Sequence, residues 1–159
     1  MRPRFSPTPG GVELRLAPEE IEMLSLLSEL LASVGSVAGD PAAARLAITT
    51  YPDDEQAQAE YKRFMAPELE RGRTADRSSV VASLEAASGR PVELSMVEAE
   101  AWLLVLNESR LTLAARIGIE EEGWGEHDEE GGDLDPPMAF LHFLTYLHGE
   151  LTAVLMEKL

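Results

Sequence analysis

The chain has no cysteine. Disulfides, thiolate metal sites, cysteine nucleophiles and thiol redox sensing are therefore excluded within its 159 residues. Basic residues are scarce, 13 Lys and Arg against 29 Asp and Glu. The net charge of −16 sets up a field that repels phosphate backbones and anionic membranes. Direct nucleic-acid binding and membrane association are accordingly not expected, and a basic protein or peptide suits the field better. No apolar run approaches about 18 residues and no cleavable leader pattern opens the chain, which predicts a cytoplasmic protein. A Gly-rich phosphate loop, a G-x-S-x-G elbow, an H-E-x-x-H pair and a basic recognition helix are all missing. The sequence thus offers no catalytic motif and implies no cofactor.

What is present suffices for one domain. A hydrophobic content of 45% can build a real core, and residues 1–159 are read as a single unit. The expected fold is mainly α, a helical bundle around a central buried helix, with a small β element in residues 1–17. There Val12, Leu14 and Leu16 alternate with Glu13 and Arg15, the period of a half-buried strand. Pro7-Thr8-Pro9-Gly10-Gly11 is turn chemistry, and Arg4-Phe5 can supply a partner strand. Because an isolated hairpin is weak, the element is expected to pack on helices or pair with Val92-Glu93-Leu94.

A first helix is predicted from Pro18 to Val34, with Ile21, Leu24, Leu27, Leu31 and Val34 as its apolar stripe. Asp40-Pro41 caps and opens a short helix carrying Ala44, Leu46 and Ile48, with Arg45 among them. Asp53 or Asp54 caps the next, which Pro67 stops, kinks or restarts, and residues 78–88 form another helix with Val80, Val81 and Leu84. Between them Lys62, Arg63, Arg71, Arg73 and Arg77 alternate with acids, the pattern of a solvated face. Asp135-Pro136-Pro137 opens a last helix to about Glu157. Its wide apolar face, Met138, Leu141, Leu144, Leu151 and Leu155, predicts burial between helices or a homodimer interface. His142 and His148 are six apart, on different faces, and make no metal pair.

Residues 94–118 form the central helix. Ser95 and Glu98 fit a capping box, and Gly118 suits a left-handed end. The segment 102–106 is apolar on all sides, as in a helix covered by neighbours. At about 100° per residue, Glu98, Ser109, Thr112 and Arg116 share one stripe, assigned to solvent, with Leu103, Leu106, Leu113, Ala114 and Ile117 opposite. Asn107 and Arg110 fall inside the apolar half and Glu108 near its edge. A buried arginine needs a carboxylate, so Arg110 is expected to pair with Asp40, Asp53 or Asp54. Asn107, Glu108 and Arg110, with Asp40, Arg45, Tyr51, Asp53 and Asp54, are thus the candidate cluster, either a structural knot or a binding site. Residues 119–135 carry nine carboxylates and four glycines and read as an acidic mobile loop. Within it Trp124 could dock on a partner or on the domain, and His127 lacks a metal-loop spacing.

Several segments together carry a family resemblance: E-x-x-x-L-x-x-L at Glu20, Leu24 and Leu27, then 40–46 (DPAAARL), Tyr51-Pro52-Asp53-Asp54 with Glu60-Tyr61, and 102–111 (WLLVLNESRL). With the aromatic-rich last helix, they resemble an actinobacterial family described as a domain of unknown function. Some of its members are called oxidative-stress transcriptional regulators, the AosR family. The resemblance implies a cytoplasmic regulator, often encoded beside the Clp protease adaptor ClpS. The redox role claimed in that family depends on cysteines, so no thiol switch operates here. Charge, missing motifs and resemblance converge on a non-enzymatic protein that binds a protein partner in transcriptional or stress regulation. The alternative is an enzyme or small-molecule binder using Asn107, Glu108 and Arg110.

Overall fold

The alternating N-terminal residues build a sheet, and the rest of the chain is helical. The computed structural model describes residues 2–47, 51–119 and 135–159. Strands β1 (Phe5–Thr8) and β2 (Gly11–Leu14) pair antiparallel, with Phe5 opposite Leu14. Strand β3 (Val92–Leu94) pairs with β2, also antiparallel, with Val12 opposite Leu94. The expected partnership with Val92-Glu93-Leu94 is therefore present, and Phe5, Val12, Leu14 and Leu94 are buried on the inner face. Gly11 is required by this register, since a Cβ there would lie 1.9 Å from the Leu94 carbonyl oxygen.

The first helix is two helices, α1 (Pro18–Leu24) and α2 (Leu27–Ala32), not one. At the joint the Ser25 hydroxyl donates to the Ile21 carbonyl, and the Leu26 N–H bonds three residues back, to Met23. Such local hydroxyl bonding competes with a regular helical ladder. Leu24, Leu27 and Leu31 still reach the core on both sides of the break. Asp40 caps α3 (Pro41–Leu46) through the Ala42 N–H; its buried residue is Ala42, while Ala44 is exposed and Ile48 lies outside the described residues.

The two helices expected around Pro67 are one. Helix α4 (Glu55–Ala86) is 32 residues long, capped by the Asp54 carboxylate at the Ala57 N–H, with Pro67 inside it. The charged residues 68–76 are mostly good helix formers, and they carry the helix through the single donor that proline removes. The buried side chains of α4 (Val80, Ser83 and Leu84) all lie in its last third.

Helix α5 (Met96–Ile117) has the predicted ends. Ser95 and Glu98 form both bonds of the capping box, and Gly118 is left-handed at φ 91°. Helix α6 (Pro136–Glu157) starts at the predicted Asp135 cap. It packs along α5, burying Leu141, Leu144, Leu147, Leu151 and Val154 within the chain. It also straps the sheet: the Phe5 N–H donates to Glu150 at 2.7 Å, and Lys158 donates to the Thr8 carbonyl at 2.6 Å. Helices α2, α3, α4 and α6 and the sheet all meet α5, which places Trp102 and Leu106 in full burial at the centre. Trp102 meets Phe5 edge-to-face at 5.8 Å.

Two assignments on α5 are corrected. Ser109 and Thr112, placed on the solvent stripe, are both 0% exposed, whereas Leu104 in the apolar middle is 51% exposed and Val97 is more so. The uncovered stripe runs through Val97, Glu100 and Leu104. Small hydroxyl residues allow close approach of neighbouring helices, and counting them as polar rotated the expected face. Residues 120–134, with Trp124 and His127, lie outside the described residues.

Candidate functional site

Glu108 proves to be the acidic centre of the cluster. Helix α5 presents it to α4, where Arg73 and Arg77, one turn apart, point at it. Arg73 Nε stands 3.5 Å from one carboxylate oxygen and an Arg77 Nη 3.6 Å from the other. All three side chains are largely covered, and Arg77 Nε is buried without a hydrogen-bond partner in the structure. Beside this triad, the end of α2, the following turn at Gly35, and α3 leave a cleft of about 450 Å³ against α4. Leu31, Val34, Ala43 and Leu46 line its apolar side, and Arg73, Arg77 and the exposed Glu70 its polar side.

The remaining polar residues of α5 serve elsewhere. Arg110 donates to Asn107 at 2.9 Å within the same helix and stands near His148 of α6. Burial, and secondly the Arg110 guanidinium, hold the His148 imidazole below its ordinary value. Of the aspartates expected to pair with Arg110, Asp40 is instead bound to Arg116 and Asp54 is engaged as a helix cap. Asp40 takes a two-pronged bond from Arg116, 2.9 and 3.3 Å, and also accepts from the N–H groups of Gly35 and Ala42. Led by the Arg116 bond and then by the Gly35 N–H, these donors hold the Asp40 carboxyl far below the usual carboxylate range. Asp54 is the α4 cap, and Asp53 is exposed just before it.

Arg45 reaches across to donate to the Ile119 carbonyl at 3.2 Å, fastening α3 to the end of α5. Tyr51 rests edge-on against Tyr61 at 6.2 Å, and its N–H donates to Gln58, so it anchors the start of α4. The candidate residues are therefore dispersed over three places: the Glu108 triad, the Arg110–Asn107 pair beside α6, and the tethers made by Asp40, Arg45 and Tyr51. Arg73 and Arg77 escaped sequence reasoning because their charge balance reads as a solvated face. Their i, i+4 spacing in line with Leu69, Val80 and Leu84 was the available signal. Among the described residues, no group of three or more side chains is arranged to hold a metal ion.

The model of a family, the domain of unknown function DUF2017, matches residues 1–155. This chain belongs to the DUF2017 family. The match takes in every element of the DUF2017 fold from β1 into α6, the Glu108 triad and the cleft included. No curated protein and no solved structure matches the chain. Among the described residues of this DUF2017 protein, no helix is long and apolar enough to cross a membrane.

Proposed function

We propose that this DUF2017 chain is a non-enzymatic, protein-binding regulator working in the cytoplasm, and that the outer part of α4 is its recognition element. The observation that carries this reading is the uneven burial of α4. At about 1.5 Å per residue the helix is roughly 48 Å long, yet its buried side chains are confined to the last third. Upstream, Tyr61, Met65 and Leu69 are only half-buried along one stripe, and Phe64 is 73% exposed. An amphipathic stripe of that kind is what helix-in-groove recognition uses. The charge of −16 favours a basic surface as its counterpart. The resemblance to the AosR family directs the search to transcription and stress regulation, with the Clp adaptor context as a second direction.

Affinity capture with the full chain, compared between wild type and Phe64→Glu/Met65→Glu, tests the reading. A defined protein is expected to bind the wild type, to be lost with the double variant, and to be kept by the α6 surface control Met156→Glu. Tight binding of pure protein to promoter DNA at physiological salt, with no protein partner recovered, would overturn it. A small-molecule binder or enzyme using the polar cluster Asn107, Glu108 and Arg110 is the second reading; the cleft lined by Arg73 and Arg77, the partners of Glu108, favours ligand binding.

A further inference from the structure

We propose that the cleft between α2, α3 and α4 is a binding site for a small amphipathic anion, its carboxylate or phosphate group held by Arg73 and Arg77. Its apolar body would lie along Leu31, Val34 and Leu46. This goes beyond the partner-binding reading and does not depend on it. The volume of about 450 Å³ falls within the range of about 300–1,000 Å³ that small-molecule sites occupy. Its lining combines apolar side chains, Leu31, Val34 and Leu46 among them, with the charged Glu70, Arg73 and Arg77.

The donors on the polar wall also point to a ligand with acceptor oxygens. Two guanidiniums share a single carboxylate, Glu108, at 3.5 and 3.6 Å, longer than the roughly 2.7–2.9 Å of a tight charge-assisted bond. With Glu70 on the cleft wall the formal charge of the four residues sums to zero, so the attraction for an oxyanion rests on the N–H donors of the two guanidinium groups, about five each, and not on excess charge. One of them, Arg77 Nε, is buried with no acceptor in the structure. Ala32, Gly35, Ala43 and Ala47 complete the lining with small residues. Glu70 in the lining and the strongly negative chain discriminate against polyanions, so a small ligand with one anionic group fits better than nucleic acid.

Titration of the full-length protein with octanoate, octyl phosphate, inorganic phosphate and octanol, followed by amide NMR, tests the site. Saturable shifts at Gly35, Ala43 and Ala47 are expected with octanoate or octyl phosphate. Octanol is expected to give none at equal concentration, and inorganic phosphate to bind at least about tenfold more weakly than octyl phosphate. Arg77→Gln is expected to weaken binding about tenfold or more, while Arg71→Gln, exposed elsewhere on α4, leaves it unchanged. Ala43→Leu fills the cleft and keeps both arginines with Glu108; it is expected to abolish binding with the fold retained by circular dichroism, which keeps the test decisive if Arg77→Gln fails to fold. No saturable shift with either amphiphile, octanol binding as well as octanoate, inorganic phosphate binding as well as octyl phosphate, or wild-type binding by folded Ala43→Leu would each overturn the proposal.

Discussion

Ser109 and Thr112 show at single-residue scale how packing overrides pattern. Both hydroxyls are buried without a hydrogen bond in the structure. A buried hydroxyl that makes no bond costs about 1–3 kcal/mol, and its removal by an isostere relieves that cost. Thr112→Val is therefore expected to leave stability unchanged or raise it by up to about 1–2 kcal/mol in urea melts; a loss above about 1 kcal/mol would show that the hydroxyl is bonded. Gly11 is the opposite case. Since an added Cβ would sit 1.9 Å from the Leu94 carbonyl oxygen, Gly11→Ala has to push β2 and β3 apart. A loss of about 3 kcal/mol or more is expected, and a melt within about 0.5 kcal/mol of wild type would contradict the register.

Titration at this scale has a definite sign. His148 is held below its ordinary value of about 6.5, so between that pH and its own lower value the unfolded chain binds more protons than the folded one. Its contribution is fully present above about pH 6.5 and is lost as the pH falls below it. Asp40, also depressed, contributes above about pH 4 and loses that contribution as the pH falls further. Melts across pH are expected to show two separate declines on acidification. His148→Gln should flatten the upper one and Asp40→Asn the lower; a His148→Gln curve parallel to wild type from pH 7.5 to 5.5, on the order of one unit either side of about 6.5, would sink the first assignment.

Elements with chemical punctuation at their ends were legible from the residues alone. The capping box and Gly118 bound α5, Asp135 with two prolines opens α6, Asp40-Pro41 opens α3, and alternation near Val12 locates the sheet. The break between α1 and α2 was not, since it rests on a serine bonding back one turn in a run with continuous apolar spacing. Nor was the continuity of α4. Proline inside a helix costs about 3 kcal/mol in isolation, and only the total favourable propensity and packing of 32 residues decides whether the helix survives it. Pro67→Ala is accordingly expected to restore the missing donor to the Arg63 carbonyl and slow amide exchange across residues 63–71. Unchanged exchange there would mean that the helix is already as regular as the alanine variant.

At the scale of the whole molecule, α5 holds the body together and α4 extends its surface. Leu106, fully buried, meets the main core, and Leu106→Ala is expected to cost about 2–5 kcal/mol in a single cooperative transition. The candidate site was only partly legible. The sequence shows that Glu108 and Arg110 lie together on α5, but which cation each carboxylate meets is a tertiary outcome: Asp40 goes to Arg116, and Glu108 to Arg73 and Arg77. Helical angles describe one helix and cannot rank partners supplied by another.

The partner-binding reading depends on a helix anchored at one end and thinly covered at the other. Amide hydrogen exchange along α4 in the purified chain tests that arrangement most directly. Residues 80–86 are expected to be protected nearly as strongly as the centre of α5 around Trp102 and Leu106, while residues 55–71 open at much lower free energy. Uniform protection from Glu55 to Ala86, equal to that of α5, would contradict it.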